Sequence, residues 1–211
     1  MDDTPTSFLA AVGEYFSAKL ADHGETARGV DWNGPERQDL LFEQATKVIL
    51  KPDSFSVNDL GCGYGALLDY LRARYDDVRY TGYDVCADMV AAGRARHADV
   101  PNARFLAASE PLEPADYGIA SGIFNVRLDC ADARWLAHIE ATLDALDRTS
   151  RLGFAFNALT VYSDADRMRD YLYYADPCAL FDRCKRRYSR NVALLHDYGL
   201  YEFTILVRKA P

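Results

Sequence analysis

The stretch Val57-Asn58-Asp59-Leu60-Gly61-Cys62-Gly63-Tyr64-Gly65 decides how the rest of the chain is read. An apolar run long enough for one strand enters three alternating glycines, after which Ala66-Leu67-Leu68 opens a helical pattern. Glycine permits a sharp backbone turn and lets the main chain approach a ligand that any Cβ would displace. A ligand is therefore expected on this loop. Nineteen residues after Gly65, Asp84 closes the next strand-like run, where a carboxylate can accept hydrogen bonds from both hydroxyls of a ribose. The expected ligand carries a nucleoside.

Outward from the loop, strand-like and helix-like runs alternate, the pattern of βα units on a parallel sheet. Strands are predicted at Phe55–Leu60, Val78–Asp84, Arg104–Ala108, Tyr117–Phe124 and Leu152–Asn157, with helices at Ala66–Tyr75, Ala87–His97 and Ala133–Asp147. Asn191–His196 and Tyr201–Lys209 follow, joined by the short link Asp197-Tyr198-Gly199-Leu200, which predicts an antiparallel hairpin. Before the loop, Phe8, Leu9, Val12, Phe16 and Leu20 recur at helical spacing with Ser7 as a candidate cap, and a second helix is predicted from Glu36 to Leu50, stopped by Pro52. A Tyr- and Asp-rich section from Val161 to Asp176 and a helix from Pro177 to Tyr188 interrupt the alternation. The expected organisation is one domain over residues 1–211: a helical cap at 1–50, a core at 51–160 and 190–211, and an insert or lid at 161–189.

Gly61-Cys62-Gly63-Tyr64-Gly65-Ala66 also satisfies the looser dinucleotide fingerprint, so a nicotinamide-dependent oxidoreductase competes for the same loop. Asp59 ahead of the first glycine, the extra Gly65 and the terminal hairpin discriminate. Together they resemble the class I S-adenosylmethionine-dependent methyltransferase family, whose first motif reads acidic-x-Gly-x-Gly-x-Gly. The resemblance covers roughly residues 55 to 130 by motif and the C-terminal hairpin by topology. It implies a Rossmann-like α/β fold, with a seven-stranded, mostly parallel sheet and an antiparallel last strand. S-adenosylmethionine would lie across the carboxyl ends of the first, second and fourth strands. Asp59 and the backbone of Gly61, Cys62, Gly63 and Gly65 would face its methionine part, Asp84 the ribose and Val85 one side of the adenine. Ser109-Glu110 stands where the family often has an Asp for the adenine amino group. Ser121 to Asn125 would pass close to the transferable methyl, with Phe124 and Asn125 facing the substrate.

Methyl transfer from a sulfonium is an in-line displacement in which positioning and desolvation supply much of the acceleration, so a base is optional. Where an acceptor hydroxyl or amine must lose a proton, histidine suits best. His23 falls in a loop, while His97 and His138 read as surface residues of flanking helices; His196, ending a strand beside Asp197, is the candidate base. The insert contributes Tyr162, Tyr171, Tyr173 and Tyr174, whose apolar faces and hydroxyls suit a small polar substrate; Tyr171 is the second catalytic candidate. Trp32, Arg37, Gln38, Arg127 and Asn157 complete the candidate pocket, Gln38 on the cofactor side and Arg127 as a fork for a carboxylate or phosphate. The cluster Arg183-Cys184-Lys185-Arg186-Arg187-Tyr188-Ser189-Arg190 reads as a solvated helix face.

Composition narrows the partners. With 211 residues, 49% hydrophobic and 27% charged, the chain can bury a core without metals or disulfides. Its net charge of −8 argues against a long phosphate-tracking surface, so a small-molecule substrate is expected rather than nucleic acid. Five cysteines without paired spacing indicate neither a disulfide framework nor a zinc site. The acidic start Met1-Asp2-Asp3 and the lack of a long apolar run point to a cytoplasmic protein away from membranes. The reading is a methyltransferase acting on an oxygen or nitrogen of a small polar metabolite. Its rivals are the NAD(P)-dependent oxidoreductase and a non-catalytic nucleoside-binding protein.

Overall fold

Strands β1 (Phe55–Leu60), β2 (Val78–Asp84), β3 (Ala103–Ala107), β4 (Ala115–Ala120), β5 (Ser150–Leu159), β6 (Asn191–Leu195) and β7 (Glu202–Arg208) form one sheet in the computed structural model, which describes residues 5–209. Their order is β3-β2-β1-β4-β5-β7-β6. The first five strands are mutually parallel, and β7 runs antiparallel to both β5 and β6. The strand order reverses beside β1, so β1 and β4 diverge into a crevice at their carboxyl ends.

Helices α1 (Pro5–His23), α2 (Pro35–Thr46), α3 (Ala66–Arg72), α4 (Ala87–Arg96), α5 (Asp132–Thr149) and α6 (Pro177–Arg187) cover the sheet. Side chains alternate across each strand: Phe154 and Phe156 enter one core with Trp135, Ile139 and Leu143 of α5, while Ala155 enters the other with Leu67, Leu68 and Leu71 of α3. Both β1 and β4 are buried on both faces along most of their length, Asn58 and Asp59 included.

Several boundaries differ from the sequence expectation for local reasons. The fourth strand ends at Ala120, not Phe124, because Gly122 turns the chain at φ +83°. Helix α2 ends at Thr46, whose hydroxyl donates back to the Phe42 carbonyl at 2.8 Å, and Val48 packs into the core beyond it. The fifth strand is longer at both ends because β7 pairs with it as far as Leu159–Glu202 and Ala115 of β4 pairs with Ser150 at its start. Helix α1 already includes Ser7, and the proposed Ser7 cap lies outside the described side chains.

The segment 161–189 divides in two. Residues 161–176 fold back as a strap along the carboxyl edge, joined to the β4–α5 connection by Tyr173 N–H to the Asn125 carbonyl (2.8 Å) and Arg127 N–H to the Tyr171 carbonyl (3.1 Å). Helix α6 belongs to the core instead, with Leu180 and Cys184 buried and Arg183 and Arg187 paired to Glu140 and Asp144 of α5. Asp176 caps it, accepting from the Cys178 and Ala179 amides. Among the described residues no helix is long and apolar enough to cross a membrane, and all five cysteines are free thiols.

Candidate functional site

The glycine loop leaves β1 through positive-φ positions at Gly61 (+75°), Gly63 (+53°) and Gly65 (+90°). A Cβ on Gly61 would lie 1.9 Å from Ile123 Cγ2, so that turn admits no side chain. The Gly61 and Cys62 amides donate to the Tyr83 carbonyl at 2.7 and 3.1 Å, seating the loop against β2. Asp84 finishes the seam: its carboxylate accepts from the Gly63 amide at 2.9 Å and from the Cys86 amide at 2.8 Å.

Asp59 and Asp84 are both buried, and neither has a cationic partner among the described residues. Burial pushes the Asp59 carboxyl up to about 7 against the opposing hydrogen bond from Tyr80 Oη at 2.6 Å. Burial also raises Asp84, opposed by the amides that donate to it. Both carboxylates line one cavity of about 980 Å³ including its mouth. Its wall also holds Gly61, Cys62, Gly63, Val85, Ser109, Ser121 and Gln38, and Leu9, Val12 and Phe16 of α1 roof it with Trp32. An apolar chamber with two uncompensated carboxylates suits a ligand that carries positive charge and several hydroxyl donors. The cofactor-side candidates thus meet in one place, Gly65 excepted. Gly65 caps α3, and a Cβ there would meet His97 and Phe105 below 3 Å, so packing explains that glycine.

A second cavity adjoins the first across a wall shared by Phe16, Val30, Trp32 and Gly122. Trp32 lies so close over Gly122 that a Cβ there would sit 2.6 Å from its ring. Asn125, Tyr171 and Tyr174 line this second space together with Arg37, Arg167, Arg169 and Glu202. Arg37 Nη2 donates to both Glu202 oxygens, at 2.8 and 2.6 Å, across a separation of 165 residues.

The other substrate and catalytic candidates lie elsewhere. Phe124 is fully buried, stacked edge-on with Phe156, and its carbonyl accepts from Trp135 Nε1 at 2.9 Å; it is core, not substrate contact. Asn157 is also fully buried and acts on the turn after β4, accepting from the Gly122 amide and donating to Ser121 Oγ, both at 2.8 Å. Arg127 turns away to the Leu128 and Cys130 carbonyls and to Asp132 at 3.0 Å. Tyr162 is 66% exposed and outside both cavities. The hairpin turn does reach the carboxyl edge, but His196 ends the outermost strand, exposed and edge-on to Phe203, and lines neither cavity.

His138, read from sequence as a surface residue, lines the first cavity between Phe8 (5.3 Å) and Trp135 (5.2 Å). Burial pushes its imidazole down to about 4, so it is neutral at physiological pH. Its helical phase carried the signal: positions 135, 138, 139 and 142 share the inward face of α5. His97 is likewise buried, stacked on Phe105 at 5.5 Å. Nothing local could have announced Glu202, whose partner lies at the other end of the chain.

A sequence model of the family described as "Methyltransferase domain" matches residues 57–151. A Mycobacterium tuberculosis (strain ATCC 25618 / H37Rv) protein named "Putative methyltransferase Rv1506c" is 65% identical over 164 residues, 78% of this chain and 99% of that one. Among solved structures, magnesium protoporphyrin IX methyltransferase from Synechocystis PCC 6803 with bound SAM superposes with TM-score 0.66 at 14% identity, covering 99% of this chain and 98% of that one. Haemonchus contortus phosphoethanolamine N-methyltransferase 1, in complex with phosphoethanolamine and S-adenosylhomocysteine, gives TM-score 0.67 at 13% identity over 99% of this chain and 50% of that one.

Proposed function

Because this chain belongs to the class I S-adenosylmethionine-dependent methyltransferase family, we propose that it methylates an oxygen or nitrogen of a small polar metabolite held in the second cavity. The observation that carries this reading is the pair of cavities meeting at the Trp32–Gly122 wall, one apolar with two buried carboxylates, the other polar. When bound, S-adenosylmethionine supplies a methyl group on a positively charged sulfur. In this reading Asp59 balances the charge of the methionine end, Asp84 accepts from the ribose hydroxyls with the lone pairs its loop amides leave free, and Val85 and Ser109 border the adenine. Cys62 and Gln38 complete the chamber wall.

The bound cofactor would supply that methyl for an in-line displacement in which sulfur keeps the carbon–sulfur electron pair, and the acceptor's proton would pass to water at the mouth of the second cavity. The chain's part is alignment and exclusion of water: Asn157 holds the Ser121–Gly122 turn in place, while Trp32 and α1 close the chamber from above. Of the two catalytic candidates Tyr171 alone lines the acceptor side, and we assign it the hydrogen bond to the acceptor. The helical segment before β1 and the 161–176 strap act as covers. Five free thiols fit work in a reducing cytoplasm.

Thermal unfolding with S-adenosylmethionine, S-adenosylhomocysteine, NAD and NADP in parallel tests the reading. A ligand at a hundred times its dissociation constant stabilises the native state by about 2.7 kcal/mol, roughly 5–10 °C for a chain of this size. The expected result is a rise with the two adenosyl compounds alone. A rise with a dinucleotide, or with none of the four, would overturn it.

A further inference from the structure

From the charges around the second cavity we infer that its acceptor carries a terminal oxyanion, a phosphate or a carboxylate, and that Arg167 and Arg169 clamp it at the mouth. The inference rests on the proposed methyl transfer and names the substrate class for it. Five charged side chains line this space: Asp31, Glu202, Arg37, Arg167 and Arg169. The two carboxylates are already satisfied. Asp31 accepts from Lys19 Nζ at 2.7 Å and Tyr15 Oη at 2.8 Å, and both Glu202 oxygens are taken by Arg37.

The two strap arginines are left over. Arg169 Nη1 donates to the Asp166 and Met168 carbonyls at 3.1 and 2.8 Å, contacts that orient the guanidinium without neutralising it. Arg167 has its nearest carboxylate, that of adjacent Asp166, at 3.8 Å in an exposed setting where such a pair is weak. The strap also carries Asp164, Asp166 and Asp170, yet none of these lines the cavity, and Asp164 is engaged by Tyr201 Oη. Of the strap's charged side chains only the two arginines reach the cavity, at its exposed rim, on a chain whose net charge is −8. Tyr174 Oη accepts from the Arg169 amide at 2.9 Å and anchors the strap in this pose. A guanidinium fork matches the planar or tetrahedral oxyanion bidentately. An acceptor gripped at the mouth by its anion would extend its hydroxyl or amine toward the Gly122–Trp32 wall.

Calorimetric titration of the S-adenosylhomocysteine-saturated full chain with glycerol 3-phosphate, glycerate and glycerol tests this, since the three probes share a carbon skeleton and differ in the anion. At least one anionic probe should bind tenfold or more tightly than glycerol. The doubly substituted Arg167→Gln, Arg169→Gln chain should lose that preference with its S-adenosylhomocysteine affinity unchanged. Preference for glycerol 3-phosphate would identify the anion as phosphate, and preference for glycerate as carboxylate. Arg167→Gln alone, which leaves the backbone contacts of Arg169 intact, should give a partial loss and guards against a misfolded double variant. Neither anion outbinding glycerol, or a preference that survives both substitutions, would overturn the inference while leaving the methyltransferase reading standing. Failure of S-adenosylhomocysteine itself to bind would instead sink that underlying reading.

Discussion

Asp59 holds its carboxyl in a dry wall with Tyr80 as hydrogen-bond donor, and burial raises it from 3.8 to about 7. Between those values the folded chain binds more protons than the unfolded one. Its contribution to stability is therefore full at low pH and is lost as pH rises through about 7, a change on the order of a few kcal/mol. Asp59→Asn should flatten this part of the stability profile of the ligand-free protein, measured by urea unfolding from about pH 5 to about pH 8. A cationic ligand needs the ionised form, so S-adenosylmethionine affinity should climb with pH to about 7 and then level off, and the Asn variant should bind it weakly at every pH. Asp84 has a different task, because its two oxygens satisfy buried amides of two separate loops. Asp84→Ala should lower the ligand-free stability by roughly 2–4 kcal/mol, since each orphaned buried N–H costs on the order of 1–3. It should also weaken S-adenosylhomocysteine binding more than tenfold. Unchanged thermal stability would show that the loop does not depend on this carboxylate.

At the scale of elements, the Arg37–Glu202 pair joins the first turn of α2 to the start of β7, and Glu202 is only 2% exposed. Burial raises the Glu202 carboxyl and Arg37 opposes the rise. Arg37→Met strands that carboxylate, a loss of about 3 kcal/mol when it must be ionised. Without its partner the Glu202 carboxyl is raised further. The penalty should thus be largest near pH 8 and shrink toward pH 5 as protonation relieves it, which urea unfolding at the two pH values would reveal. An equal loss at both would mean that packing of the arginine stem, not charge, holds α2 to β7. The same scale shows why element boundaries were read less well than element identities. The apolar run 117–124 looked like one strand because Ile123 and Phe124 are apolar, yet Asn157 captures the Gly122 amide and turns the chain there.

Across the whole molecule, α1 roofs the first cavity and the 161–176 strap lines the second, and Tyr15 and Tyr171 bring the two covers together with ring centroids 6.4 Å apart. Cavity occupation should consequently slow amide hydrogen exchange in both covers at once. Exchange measured with and without S-adenosylhomocysteine should show added protection in residues 8–23 and 165–175 as well as in the glycine loop. Protection confined to the loop would mean that the covers stand apart from binding. Asp59, Gly61, Gly63 and Asp84 were legible beforehand because their chemistry is local: a turn that tolerates no side chain and a carboxylate at a strand end can be recognised within thirty residues. The alternation of strands and helices was legible from periodic signals, whereas the seven-stranded sheet was an expectation drawn from the family resemblance. The surroundings of the two cavities are different in kind. His138 faces a cavity only because α1 lies over α5, Glu202 is neutralised by a residue 165 positions away, and His196 is excluded by two strands of separation. The sequence by itself determined the α/β architecture and the glycine loop, because those rest on backbone geometry and short-range pattern. Only the tertiary structure decided which side chains share the second cavity and which of its charges remain unpaired, because both depend on contacts between segments far apart in the chain.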